Sequence, residues 1–177
     1  RGLGDVYKRQ VSVGAQSATG TLGKDIADTF RGVIKCHQSD IEDFIFETKV
    51  SVANTTEAKL DVIDFYINDT LRAAIEEVKT RRAELVAALQ VDEIDNETFT
   101  MEMRDLASDL VDVAKTLGVI GEELYALSEG LAGDLKARAD QLTVELQAFA
   151  EEVTSMAETV ANEMRDRDLP VPELPIP

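Results

Sequence analysis

Apolar residues recur every three or four positions along most of this chain, and polar residues fill the positions between them. This spacing places the apolar residues on one face of an α-helix. It predicts three helical segments, at about residues 22–50, 56–90 and 97–167. A β-branched run ends the first segment, and a polar turn precedes the third. The predicted fold class is therefore all-α.

The third segment carries the longest apolar face, which we call the seam. It consists of Met103, Leu106, Leu110, Val113, Leu117, Ile120, Leu124, Leu127, Leu131, Leu135, Ala139, Leu142, Leu146, Phe149, Val153, Met156, Val160 and Met164. These 18 positions are on average 3.59 residues apart, close to the ~3.6 residues per turn of an unstrained helix. Four glycines, at positions 118, 121, 130 and 133, lie between seam positions without changing its phase. The pattern therefore favours one continuous, very long C-terminal helix.

A helix over residues 97–167 would be about 106 Å long at ~1.5 Å per residue, and its seam would need a cover. The two preceding segments supply that cover in either of two arrangements. One is a long antiparallel helical hairpin, and the other is an elongated three-helix coiled coil. If the first two segments fold on each other, the second half of the seam needs another chain. We therefore expect a protein partner or self-association through the helical seams, with a homodimer as one form.

The first ten residues, RGLGDVYKRQ, are basic, whereas the rest of the chain is acidic. The stretch from Asp5 to Gln10 resembles the translation of a transposon-end adapter used in sequencing libraries, because the codons GAT GTG TAT AAG AGA CAG encode it. Residues 1–10 are accordingly expected to be a non-native scar. Residues 11–21 are expected to be flexible, and Val13 and Ala15 precede Gln16 as in a signal-peptide cleavage site. The native start of the protein is then expected upstream.

The chain has a strongly acidic charge balance. Its formal net charge is −17, and it becomes −19 when the one acidic and three basic residues among the first ten are removed. Such a charge repels phosphate backbones and anionic lipid headgroups, so nucleic acid is not an expected partner. No stretch of the sequence has the length and apolar character that predict a transmembrane segment.

Three of the four asparagines begin an N-x-T sequon, the acceptor of N-linked glycans: Asn54, Asn68 and Asn96. Helix capping is the competing explanation for Asn54 and Asn96, because each precedes a predicted helix. It does not apply to Asn68, which lies in the middle of one. The sequons favour a secreted or extracytoplasmic protein, with a cytoplasmic location as the alternative.

Cys36 is the only cysteine, so no disulfide can form within the chain. We expect it to be a partly buried apolar residue or, in an oxidising compartment, to form a disulfide between two copies. His37 is the only histidine. Adjacent helical positions point about 100° apart, so these two residues do not predict a metal site. The stretch from Asp92 to Met103 begins like a calcium-binding loop but lacks its glycine and final glutamate.

The sequence contains no P-loop, dinucleotide-binding, nucleophile-elbow or Cys-x-x-Cys motif. We therefore expect no enzymatic activity, no catalytic residues and no cofactor. Residues 169–177 contain all four prolines of the chain and predict an extended tail or spacer.

The leading functional hypothesis is a secreted or cell-surface helical coiled-coil protein with a structural or protein-interaction role. One alternative is a coat or holdase chaperone for apolar surfaces, similar in style to apolipoproteins, phasins or periplasmic helical chaperones. The other is a cytoplasmic helical scaffold.

Overall fold

The computed structural model describes residues 22–30 and 41–166, and only the backbone of residues 41–45. The described helices are α1 (Leu22–Thr29), α2 (Ile41–Val52), α3 (Thr56–Phe65), a π-helical turn (Tyr66–Thr70), α4 (Leu71–Gln90), α5 (Asn96–Ser128) and α6 (Gly133–Asp166). These ranges contain no strand, which confirms the all-α fold class for them. The predictions for residues 1–10, residues 11–21, Cys36, His37 and the tail at 169–177 lie outside the described residues.

The predicted helix over residues 56–90 is present with those bounds, as α3, the π turn and α4 in succession. Its first turn is capped by Thr55, whose side chain accepts a hydrogen bond of 3.0 Å from the Ala58 N–H. The π turn adds a residue to one turn of the helix, so the neighbours Tyr66 and Ile67 are both buried. The Tyr66 ring meets Phe46 of α2 edge to face, at 5.1 Å between ring centres.

The predicted continuous helix over residues 97–167 is wrong. Helix α5 ends at Ser128 and α6 begins at Gly133. Gly130 and Gly133 have φ angles of +92° and +61°, in the left-handed region that glycine enters without the steric cost of a side chain. The seam keeps its phase across this turn because both helices face one core. The spacing of the apolar residues therefore does not distinguish one straight helix from two antiparallel helices joined by a turn.

After the turn, α6 folds back on α5, and these two helices make the most extensive contact among the described elements. Every seam residue is buried or half-buried. The half-buried ones are Leu127, Leu131, Leu135 and Met156, three of them beside the turn. The two halves of the seam therefore cover each other, and the second half no longer requires another chain.

Polar contacts show how the long helices run relative to one another. Asn68 with Glu145, Arg72 with Glu152 and Arg82 with Glu163 are separated by 77, 80 and 81 positions. A nearly constant separation means that α4 and the preceding π turn run parallel to α6. The short loops at 91–95 and 129–132 make α5 antiparallel to both helices.

The three long helices have nearly equal lengths. The helix from Thr56 to Gln90 has 10, 5 and 20 residues in its three parts, α5 has 33, and α6 has 34. Each is therefore about 50 Å long at ~1.5 Å per residue. Their contacts indicate a compact bundle. Neither the predicted long hairpin nor the elongated three-helix coiled coil is confirmed.

The two N-terminal helices pack against the side of this bundle. Helix α1 contacts α5 and α6, and its residues Leu22 and Ile26, with Phe30 directly after it, are buried in the core. Arg165 at the end of α6 donates a 2.6 Å hydrogen bond to the Thr29 carbonyl. Helix α2 contacts α5 and α3. The predicted helix over 22–50 thus corresponds to two described helices, and the predicted break near Asn54 occurs at residues 53–55.

Replacing Gly130 or Gly133 with alanine tests the turn, because the substitution would stabilise a continuous helix but destabilises a left-handed turn. In a continuous helix, glycine to alanine would stabilise the protein by ~1 kcal/mol. At a positive φ the same change costs about 1 kcal/mol or more. An added Cβ at either position meets no atom within 4 Å, so the backbone conformation alone decides the effect. We expect both variants to lower the free energy of unfolding in urea, and an increase would contradict the turn.

Candidate functional site

A half-open groove of about 450 Å³ lies between the first two turns of α4 and the middle of α5. Its apolar lining consists of Leu71, Ala73, Ala74, Val78 and Val113. The large residues Leu71, Val78 and Val113 are buried and belong to the bundle core. The two alanines end at Cβ, so they leave space between the helices that a larger side chain would fill. The groove therefore has an apolar floor that continues the core towards the surface.

Three carboxylates also line the groove: Glu77 from α4, and Asp109 and Asp112 from α5. Glu77 and Asp109 are exposed, and Asp112 is half-buried. Arg81 of α4 lies beside one of these carboxylates, with Nη1 3.4 Å from Asp109 Oδ2 and Nη2 3.4 Å from Glu102 Oε2. Contacts of this length at an exposed surface are weak. The groove therefore combines an apolar floor with three carboxylates at its rim.

Two threonines complete the lining. Thr116 donates a 3.1 Å hydrogen bond to the Asp112 carbonyl, within its own helix. Thr70 is the last residue of the π turn, a deviation that occurs often at functional sites because it displaces side chains from regular helical positions. A site of this volume and polarity suits an apolar group that carries a positive charge.

The opposite side of α4 faces α6, and ion pairs connect the two helices there. Glu152 of α6 accepts hydrogen bonds from Lys79 Nζ and from Arg72 Nη1, the latter at 2.6 Å. The Arg72 guanidinium also lies 4.7 Å above the centre of the Phe149 ring. Burial acts to raise the pKa of Glu152, but the hydrogen bonds from Lys79 and Arg72 outweigh it and hold that pKa below its usual value. The hydrogen bond to Glu152 likewise raises the pKa of Lys79.

The structure places the three sequon asparagines apart from one another. Asn54 lies in the connection between α2 and α3, Asn96 is the first residue of α5, and Asn68 lies in the π turn. The competing explanation, that Asn54 and Asn96 cap helices, does not hold, because the adjacent residues Thr55 and Asp95 are the caps. Thr55 caps α3, and Asp95 caps α5 by accepting a 2.7 Å hydrogen bond from the Thr98 N–H. That bond also holds the pKa of Asp95 below its usual value.

Sequence reasoning missed the groove. The available signal was the pair Ala73–Ala74 on an otherwise well-filled apolar stripe, beside Glu77. The sequence does not predict that these residues face Asp109 and Asp112, because the alignment of α4 with α5 depends on the turn between them. The groove therefore became visible only when the helices were packed.

Among residues 22–30 and 41–166, no three His, Cys, Asp or Glu side chains are grouped as metal ligands. None of the described helices has the length and apolar character needed to cross a membrane. Comparison of the chain with protein-family models, with curated proteins and with solved structures finds no match.

Replacing Glu152 with glutamine tests the ion pairs between α4 and α6. A carboxylate with a lowered folded-state pKa stabilises the fold above its unfolded pKa, and this contribution disappears as the pH falls through the folded value. We expect E152Q to lower the free energy of unfolding by ~1 kcal/mol at pH 7, measured by urea denaturation.

The difference between E152Q and the unaltered protein should shrink as the pH falls below the ordinary pKa of a glutamate, because Glu152 itself then becomes protonated. The matched control is E151Q, on the exposed neighbouring residue. An equal loss of stability in E151Q, or a difference independent of pH, would contradict this role of Glu152.

Proposed function

We propose that this protein is a non-enzymatic helical-bundle protein, secreted or at the cell surface, with a structural or protein-interaction role. The observation that carries the proposal is the groove between α4 and α5, with its apolar floor and its three carboxylates. We infer that it receives a basic amphipathic segment of a protein partner.

Charge complementarity supports this choice of partner. The chain has a net charge of −17, so it attracts cationic partners and repels nucleic acid and anionic membranes. The groove has the volume of a small-ligand site, enough for a few side chains. A basic amphipathic helix presents apolar and cationic side chains on adjacent faces. Its apolar residues would lie against Ala73 and Ala74, and its cations would lie near Glu77 and Asp109.

The sequons and the acidic surface support a location outside the cytoplasm. Helix capping had been the competing explanation for Asn54 and Asn96, and other residues perform that role. Glycosylation thus accounts for two sequons that capping leaves unexplained. A cytoplasmic location, with the protein acting as a helical scaffold, is the alternative, and the sequons would then carry no glycan.

The mutual burial of the seam favours an interaction role over the coat or holdase hypothesis. A coat or holdase offers apolar surface to lipid or to unfolded chains, whereas here the two halves of the seam cover each other. Exposing them would require α5 and α6 to separate. For the same reason, the seam no longer gives grounds to expect a homodimer. An intermolecular disulfide through Cys36 stays a prediction.

Reversing the charge of Glu77 tests the groove. We expect the protein to bind a short amphipathic peptide of leucine and lysine, and not its leucine–glutamate counterpart, in fluorescence anisotropy. The substitution E77K places a cation at the rim and should weaken binding of the lysine peptide by about tenfold.

The matched control is E84K, on an exposed residue of α4 outside the groove. It changes the net charge by the same amount, so it reports the general attraction between an acidic protein and a cationic peptide. We expect less than about a twofold effect from it. Equal losses in E77K and E84K would show that the groove is not the binding site.

Localisation is tested on the source cells. Fractionation followed by quantitative mass spectrometry of tryptic peptides from this chain should recover it in the surface or secreted fraction. Recovery with cytosolic marker proteins would reject that part of the proposal and favour the scaffold.

A further inference from the structure

The three N-x-T sequons differ in how much structure surrounds them. Asn54 lies in the short connection at residues 53–55, and Asn96 is at the first turn of α5. Asn68 lies in the π turn, within the long helix that runs from Thr56 to Gln90. Acceptor asparagines belong to surface loops, where a modifying enzyme can draw the chain into its active site. Two of the three sequons therefore meet this condition better than the third.

The side-chain amide of Asn68 is held in place. Its Nδ2 donates a 2.6 Å hydrogen bond to Asp64 Oδ1 and a 3.3 Å bond to Glu145 Oε2 of α6. An amide nitrogen has two hydrogens, and a glycan replaces one of them. The preceding residues Tyr66 and Ile67 are buried and fix the backbone. Glycan transfer to Asn68 would thus break a contact between helices and unwind the middle of the bundle's first long helix.

Asn54 and Asn96 have no such constraint. All three asparagines are exposed, but the described residues offer no hydrogen bond to the side-chain amide of Asn54 or Asn96. The neighbouring Thr55 and Asp95 provide the helix caps, so neither asparagine is needed for that purpose. Helix ends fray, so opening the capped first turn of α5 or the connection at residues 53–55 disturbs less of the bundle than opening the middle of a helix. Either asparagine can therefore become accessible while the bundle stays folded.

These two asparagines lie at opposite ends of the bundle. Helix α3 begins at the end where α6 also begins, because the two run parallel. Helix α5 begins at the other end, where α4 and α6 finish. The groove lies near the middle of the bundle, between residues 70–78 of the long helix from Thr56 to Gln90 and residues 109–116 of α5. Glycans at the two ends would leave the groove open to a partner.

We propose that the folded protein accepts N-linked glycans at Asn54 and Asn96, and that Asn68 is a structural residue that the folded state protects from modification. In cells, this proposal rests on the proposed extracytoplasmic location. In the reaction, the asparagine amide nitrogen attacks the anomeric carbon of a lipid-pyrophosphate-linked oligosaccharide. The new carbon–nitrogen bond replaces the bond to the lipid pyrophosphate, which leaves, and the amide proton passes to a base of the transferase.

The test uses purified, folded protein with a single-subunit oligosaccharyltransferase that accepts N-x-T and a lipid-pyrophosphate-linked oligosaccharide donor. Synthetic peptides that contain each of the three sequons serve as unfolded references. Mass spectrometry of proteolytic fragments reports the rate at each asparagine. We expect Asn54 and Asn96 in the protein to react at rates near those of their peptides. Asn68 should react at least about tenfold more slowly than its peptide, because local opening must precede transfer.

Variants distinguish the effect of the fold on the glycosylation rate from the effect of the sequon sequence. N54Q and N96Q should each remove one glycan, and N68Q should remove none. The double variant D64A/E145A leaves the sequon of Asn68 intact but deletes both acceptors of its amide, so its rate should rise towards that of the peptide. Hydrogen exchange on each variant confirms that the bundle remains folded.

Modification of Asn68 in the folded protein at the rate of its peptide would overturn the proposal, as would a lack of modification at both Asn54 and Asn96. Because the assay uses purified protein, its failure leaves the proposed location untouched. Recovery of the chain from the cytosol would reject the location without changing these relative rates.

Discussion

The reversal of the chain at Gly130 and Gly133 is the constraint on which the rest of the structure depends. The left-handed backbone there brings α6 back along α5, so most of the 18 seam residues are buried within one chain. Each fully buried side chain of this kind contributes roughly 1.5–3 kcal/mol. A straight helix would have left much of this surface to a partner. The reversal also makes the three long helices nearly equal in length, which lets α4 contact both α5 and α6.

The two contact surfaces of α4 differ because their side chains differ. Towards α6, the long charged residues Arg72 and Lys79 donate hydrogen bonds to Glu152 across the two parallel helices. Towards α5, the short side chains of Ala73 and Ala74 leave a groove beneath three carboxylates. The groove is therefore a consequence of packing helices whose spacing is set by larger residues elsewhere in the core. Its chemistry suits a cationic, apolar partner, as does the charge of the whole chain.

Much of the fold was predictable from local pattern. The bounds of the helix over 56–90 and the burial of the seam follow from periodicity, because a helix must turn its apolar face to the core. The continuity of the last helix was mispredicted, because periodicity does not register a reversal that preserves phase. The caps were assigned one residue away from Thr55 and Asp95, because Asn, Asp and Thr have similar capping preferences. The groove was not predicted at all, since it combines residues from two helices.

The sequence by itself determined the helical class, the acidic surface, the positions of the apolar seam and the three candidate sequons. These properties depend on composition or on neighbours within one or two helical turns. The tertiary structure alone decided that the seam covers itself, that a groove opens beside Ala73 and Ala74, and that Asn68 differs from Asn54 and Asn96. The amide of Asn68 bonds to Glu145, 77 positions away. Contacts of this kind form only when the helices pack. No local sequence pattern predicts them, because it does not specify which distant side chain will lie opposite.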